Sequence, residues 1–235
     1  MQRYFCKSNN EQFHLSKADS YHITKVMRYQ IGNKIEIVDN KELYIAEIIC
    51  LNPIVIAKKV EKILSNNSFL NVTVVQSLVN EQKMDYILQK GTELGGNTFI
   101  PLITERSIVK INDKMPKKVE RWNTIVKEAS EQSKRLDIPT VLKPYTIKEI
   151  ANLDYDYKIL CSVNEMSKSI KTVLSNITES DRILIVIGPE GGFTKEEETE
   201  LLDNGYISAS LGERVLRTET ASLFVLSIIN YILMR

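Results

Sequence analysis

The sequence predicts an α/β protein in two parts, a small N-terminal barrel and a larger C-terminal domain on a mostly parallel sheet. Three features of the 235 residues point there. One helical pattern followed by clustered strand-like runs opens the chain. A polar, turn-rich stretch, Ser65-Asn66-Asn67-Ser68, then breaks the pattern. Beyond it strands and helices alternate, as they do where a parallel sheet is covered on both faces. The boundary falls at that break, giving domains 1–67 and 68–235.

The first helix is expected from Asp19 to about Tyr29, with Tyr21, Ile23, Val26 and Met27 on one face. Ile31-Gly32 closes it, glycine being the usual helix stop. Strands follow at Lys34–Val38, Leu43–Cys50 and Ile54–Val60, joined by turns at Asp39-Asn40 and Asn52-Pro53. In the second domain Val72–Val79 reads as a strand, Glu81–Leu94 as a helix and Thr98–Leu102 as a strand. Met115–Lys134 reads as a long amphipathic helix. Further strands are expected at Lys158–Val163, Ile183–Ile187 and Tyr206–Leu211, with helices near 146–152 and 194–203. The last helix starts near Thr218. Its apolar stretch, Ala221 to Met234, is interrupted by Ser222, Ser227 and Asn230 and is shorter than the ~20 residues a bilayer needs. It reads as a buried helix of a soluble protein.

Composition narrows the function classes. The chain is 43% hydrophobic and 26% charged, ordinary for a globular protein, and its net charge is +1. Residues 1–67 carry 10 Lys and Arg against 7 Asp and Glu, a mild basic excess. Cys6, Cys50 and Cys161 are too few, too scattered and too odd in number for a disulfide framework or a zinc site. The Met1–Lys7 segment has no apolar run behind its basic residues, so no signal peptide is read. These points fit a reducing, cytoplasmic setting and give no reason to expect a metal.

Two segments could carry chemistry. In the first, the apolar run Ile183–Val186 ends in Ile187-Gly188-Pro189-Glu190-Gly191-Gly192-Phe193-Thr194, and a helix opens at Thr194 with Glu197 three residues on, a capping box. Glycines at the carboxyl end of a buried parallel strand let backbone approach a ligand. The same residues would also make a plain strand-to-helix turn. Neither a Walker A loop nor the dinucleotide G-x-G-x-x-G is present; Gln76-Ser77-Leu78-Val79 runs instead into Asn80-Glu81-Gln82-Lys83. The second segment is Leu211-Gly212-Glu213-Arg214-Val215-Leu216-Arg217-Thr218-Glu219-Thr220-Ala221, again between a strand and a helix. By itself it could be a solvated loop with Thr218 or Thr220 as a helix cap. If the two strands are parallel neighbours, both loops fall at one sheet edge and form a pocket. A third region, Glu105 to Arg135, holds 9 Lys and Arg against 5 Asp and Glu; it is either a solvated helix face or a track for RNA.

Taken together, these segments resemble one family. Ile187–Phe193 and Leu211–Ala221 are similar to the cofactor loops of SPOUT methyltransferases, whose C-terminal chain forms a trefoil knot. More narrowly, the chain resembles the RsmE family of 16S ribosomal RNA uridine-N3 methyltransferases. That match rests on Glu81-Gln82-Lys83-Met84-Asp85, Gln89-Lys90-Gly91-Thr92-Glu93-Leu94-Gly95, Thr104-Glu105-Arg106-Ser107, Glu131-Gln132-Ser133 and His22–Arg28, and it spans nearly the whole chain. Lys134 departs from it, since many relatives have glycine before the arginine at 135. The resemblance implies a PUA-like RNA-binding barrel in 1–67 and a SPOUT trefoil-knot methyltransferase domain in 68–235. A knot cannot be read from spacing, and chains as a rule do not knot.

The resemblance further implies methyl transfer from S-adenosylmethionine to N3 of a uridine in 16S rRNA, in the assembled small subunit, by a homodimer. The implied cofactor set is Leu78, Ile187, Gly188, Pro189, Glu190, Gly191, Gly192, Leu211, Gly212, Val215, Leu216, Arg217, Thr218, Thr220 and Ala221. Arg217 is the first candidate for catalysis, with Glu219 to orient it or help move a proton and Arg214 in reserve. Arg28, Arg106 and Arg135 are the candidates for RNA contact. Two other readings stay open: a non-catalytic RNA-binding assembly factor, and a SPOUT enzyme acting on a ribose hydroxyl or on transfer RNA.

Overall fold

Alternating β-branched and apolar residues build the larger sheet. In this computed structural model, which describes residues 1–64, 70–109 and 112–233, the chain divides into two units. One is Met1–Asn67 with Ser130–Ile138, the other Ser68–Ala129 with Pro139–Arg235. The linker read at Ser65–Ser68 and Met234, the last residue of the apolar stretch, lie outside the described residues.

In the first unit, β1 (Arg3–Phe5), β2 (Ser8–Asn9) and β3 (Gln12–His14) precede α1 (Lys17–Tyr21). A π-helical turn (His22–Val26) follows, then β4 (Lys34–Asp39), β5 (Glu42–Cys50) and β6 (Ile56–Ile63). The six strands form one sheet in the order β1-β4-β5-β6-β3-β2, antiparallel except for β1 beside β4. Tyr4, Phe13, Ile35, Ile37, Ala46 and Ile48 fill its core.

Three details of this unit differ from the sequence reading. The strands β1 to β3 went unseen because each is two or three residues long and the β2–β3 turn is made by Asn10 and Glu11 at positive φ, without glycine. Helix 19–29 is in fact α1 plus the π turn, where Met27 N–H reaches back to His22 O. The wider turn rotates the apolar residues off a single face. Ile23 is buried, but Tyr21 and Val26 are exposed.

In the second unit the helices and strands alternate as expected. They are β7 (Asn71–Ser77), α2 (Glu81–Glu93), β8 (Thr98–Ile103), α3 (Met115–Gln132), β9 (Thr140–Val141), β10 (Tyr145–Thr146) and α4 (Ile147–Ala151). Then come β11 (Tyr157–Cys161), α5 (Ile170–Val173), β12 (Arg182–Ile187), α6 (Lys195–Asp203), β13 (Ile207–Ala209) and α7 (Thr218–Leu233). The strand order is β10-β8-β7-β12-β11-β13, with β9 also on β8, and every pairing is parallel. Both faces are covered. On β12, Ile183 and Ile185 join the core under α2, α3 and α7, while Leu184 and Val186 join the core under α4 and α6. The short elements β9, β10 and α5 have no signal long enough to read from sequence.

A buried polar network ties this sheet to α7. Gln76 is fully buried; its Nε2 donates to Thr218 Oγ1 at 2.9 Å and to Ser77 O at 3.1 Å, and Ser222 Oγ donates to its Oε1. Thr218 Oγ1 in turn donates to Gly188 O at 2.7 Å. Gln76→Leu removes the centre of this network, so Thr218 and Ser222 each lose one of two hydroxyl partners and keep Gly188 O and Thr218 O respectively. The expected cost is about 1–3 kcal/mol, read as a lower urea midpoint at unchanged slope.

The helix read to Lys134 ends at Gln132 because Lys134 adopts φ +61°, a conformation that favours glycine. Within the first unit this residue is held from several sides. Its Nζ lies 3.0 Å from Glu36 and its carbonyl accepts from buried Arg3, which also reaches Arg135 O at 3.1 Å.

Candidate functional site

Parallel strands end at one edge, so the loops after them meet. The loop after β12 (188–193), the loop after β11 (162–169) and the segment after β13 (210–217) surround a cleft of about 760 Å³. Such a volume suits a nucleoside-sized ligand. The sequence reading made the shared edge conditional on β12 and β13 being parallel neighbours; β11 lies between them, parallel to both, so their loops still end at one edge. The third wall, with Ser162, Val163, Glu165, Met166, Ser167 and Ser169, was missed. The same rule applied to the predicted strand at 158–163 would have found it.

Each loop is held by its own polar contacts. Arg106 Nη1 donates to Gly191 O at 2.9 Å and to Phe193 O at 3.1 Å, bracing the glycine loop from behind. Thr194 and Glu197 form the expected capping box, and Glu197 also accepts the Glu105 N–H at 2.8 Å. In the loop after β11, Glu165 accepts from Ser167 N at 2.7 Å, Ser167 Oγ at 2.6 Å and Lys168 N at 3.0 Å. Hydrogen bonds from the Ser167 side chain and then the Lys168 and Ser167 backbone hold its pKa down at about 2. Glu198 accepts from Ser162 Oγ at 2.7 Å. Burial pushes the Cys161 thiol up to about 12, so at neutral pH it lines the cleft as an unreactive thiol.

Gly192 at φ +68° and Gly212 at φ +115° have no atom within 4 Å of where a Cβ would stand. Their backbones face open space on two sides of the cleft, a cradle that a cofactor can occupy. Lys83, at the start of α2, lies 2.8 Å from Glu190 and 3.4 Å from Glu219. The hydrogen bond to Glu190 raises the Lys83 pKa. Burial opposes ionisation of Glu190, but the Lys83 hydrogen bond, a backbone hydrogen bond and the Lys83 charge together outweigh it and the pKa falls below the carboxylate norm.

Most of the sequence-predicted cofactor set lines this cleft: Ile187 through Gly192, Leu211, Gly212, Val215, Leu216, Arg217, Thr218 and Ala221. Two residues do not. Leu78 is buried in the core beneath α2 and α7, because the chain turns inward where β7 ends. Thr220 is exposed and outside the cleft, since α7 has already begun and turns it away. Thr218 lines the cleft, but its hydroxyl is committed to Gly188 and Gln76.

Of the catalytic candidates, Arg214 and Arg217 are exposed on the cleft wall. Glu219 faces Lys83 rather than Arg217, which removes it as the residue that orients the guanidinium. Of the RNA candidates, Arg28 is exposed at the end of the π turn. Arg106 is committed to the glycine loop, and Arg135 is mostly buried with both its Nε and Nη2 on Asp137 at 3.0 and 2.8 Å. The basic tally of 105–135 therefore overstated a free track. Charge counts along a chain do not show which guanidiniums are already paired.

Comparison with known proteins decides the family. A model for an RNA methyltransferase domain matches residues 65–230, and one for an RNA methyltransferase PUA domain matches 15–54. The chain belongs to the RsmE family of RNA methyltransferases. It is 35% identical to the ribosomal RNA small subunit methyltransferase E of Bacillus subtilis (strain 168), over 98% of this chain and 96% of that one. Identity to the protein of the same name from Buchnera aphidicola subsp. Schizaphis graminum (strain Sg) is 33%, over 93% and 89% of the two chains. The crystal structure of a ribosomal RNA small subunit methyltransferase E from Neisseria gonorrhoeae, bound to S-adenosyl methionine, superposes with TM-score 0.88 at 30% identity and covers 99% of this chain and 98% of that one. The larger unit is thus a SPOUT domain and the smaller one a PUA-like barrel, as the resemblance implied. Among the described residues no cluster of His, Cys, Asp and Glu could hold a metal, and no helix is long and apolar enough to cross a membrane.

Proposed function

We propose that the cleft binds S-adenosylmethionine and that the protein methylates N3 of a uridine in 16S ribosomal RNA of the small subunit. The observation that carries this is the convergence of three loops at one edge of the sheet, with open glycine backbones at Gly192 and Gly212, in a chain of this family. The cofactor, when bound, supplies a methyl group already activated by its sulfonium. The chain supplies position and electrostatics. Uridine N3 carries a proton, and its loss spreads negative charge over N3, O2 and O4. Arg217, unpaired among the described residues and on the cleft wall, stabilises that anion, with Arg214 in reserve. Arg28 is the candidate in the barrel for contact with RNA phosphate, its side chain being exposed and without a protein partner among the described residues. Such work belongs in the cytoplasm, where small subunits are assembled.

Mass mapping of ribosomal RNA from cells lacking this gene tests the reading. One uridine should lose a base methyl group and regain it on complementation. A missing ribose methyl, or an unmodified transfer RNA, would show that the target is wrong while the cofactor site stands.

We also propose that the protein works as a homodimer through α7. Its inner face buries Val225, Leu226 and Ile229, while Phe224, Tyr231 and Ile232 are exposed on its other sides. An isologous contact would bury that surplus. Sedimentation at micromolar concentration should give a species of about twice the 26.9 kDa chain mass; a monomer at that concentration refutes the dimer.

A further inference from the structure

The family motif Glu81–Asp85 contains a lysine that the reaction chemistry does not use. Lys83 stands in the first turn of α2, where the helix dipole disfavours a cation. Its N–H is taken by the Asn80 cap at 3.0 Å. Its ammonium lies 2.8 Å from Glu190, in the glycine loop, and 3.4 Å from Glu219, in the first turn of α7. These two carboxylates belong to adjoining elements of the cleft, the glycine loop and the start of α7, whose Thr218 and Ala221 line it. On the buried side the two elements are joined by the Thr218 hydroxyl on Gly188 O at 2.7 Å. On the outer side Lys83 joins them, and its side chain is only 24% exposed, so water screens the contact incompletely.

We propose that Lys83 is a positioning residue for the cofactor cleft. It cross-links Glu190 to Glu219 and so holds the glycine loop and the start of α7 at the separation the cofactor needs. Without it, Glu190 and Glu219 face each other as two uncompensated carboxylates, and the glycine loop is pushed outward. The loop then samples open states, and binding must first reorder it. The proposal rests on the cleft being the cofactor site, and the experiment separates the two.

The test uses the full chain and four variants: Lys83→Met, Lys83→Arg, Glu190→Gln and Lys83→Met with Glu190→Gln. Calorimetry with S-adenosylhomocysteine and hydrogen exchange of the ligand-free protein are the readouts. Lys83→Met should bind about ten-fold more weakly and exchange amides 190–192 faster, with the thermal midpoint little changed. Lys83→Arg should recover most of the affinity. The double variant should lose less than the two single losses multiplied, because both remove one link. Equal affinity and exchange in folded Lys83→Met, or strictly multiplicative losses in the double variant, would overturn the positioning role. If the unaltered chain itself fails to bind S-adenosylhomocysteine, it is the assignment of the cleft that falls, while faster loop exchange in Lys83→Met would still establish the cross-link.

Discussion

Arg217→Lys should slow methylation of undermethylated small subunits by at least ~100-fold, close to 3 kcal/mol at the transition state. The substitution keeps one positive charge and loses the planar fork. A guanidinium can offer two donors to neighbouring oxygens of the uridine anion, whereas an ammonium is a point charge on a more flexible stem. Arg217 lines the cleft, is exposed, and makes no side-chain hydrogen bond or ion pair among the described residues. Its removal therefore breaks nothing in the folded protein, and the loss should fall on rate. Thermal midpoint and S-adenosylhomocysteine affinity should stay near those of the unaltered chain. Single-turnover assays at saturating cofactor make the measurement. A near-normal rate would retire Arg217 and transfer the role to Arg214, the other exposed arginine on the same wall.

Gly191→Trp should abolish cofactor binding, lowering affinity by more than ~100-fold, while the protein remains folded. A Cβ at Gly191 would lie 3.4 Å from both Cβ and Cδ of Arg106, so the position tolerates a methyl group but not an indole beside it. The ring must either displace Arg106, which holds Gly191 O and Phe193 O, or project into the cleft. Both outcomes spoil the glycine wall. Gly191 is exposed, so the cost to global stability should remain below ~1 kcal/mol. Calorimetry with S-adenosylhomocysteine and a urea titration give the two numbers. Wild-type affinity in a folded variant would remove this loop from the cofactor site.

The two predictions act on different walls and should be independent. Arg217 acts on the substrate anion, Gly191 on the space for the cofactor. At saturating cofactor, Arg217→Lys should lower the rate and leave affinity alone, whereas Gly191→Trp acts on affinity first.

By itself the sequence determined the order of the large elements, because each is long and strongly periodic. Ile183–Val186 reads as a strand buried on both faces because three of its four residues are β-branched and Gly188-Pro189 follows, and Thr194 with Glu197 reads as a helix start. It also located the two glycine-bearing loops, since local backbone freedom is written in residue type. The tertiary structure decided which strands are neighbours. Parallel strands far apart in sequence pair through crossovers, and nothing local in β12 or β13 says that β11 inserts between them. That insertion brings in the third wall of the cleft. Tertiary contact also decided which charges are free. Arg106, Arg135 and Arg217 look alike in the sequence, yet the first two spend their guanidiniums on Gly191, Phe193 and Asp137, and the third faces the cleft. The same holds for Glu219, two residues from Arg217 in the chain but paired with Lys83 across the fold. A guanidinium or carboxylate reaches several ångströms from its backbone and pairs with whatever the folded chain brings there, so its partner is a property of the packing rather than of its sequence neighbours.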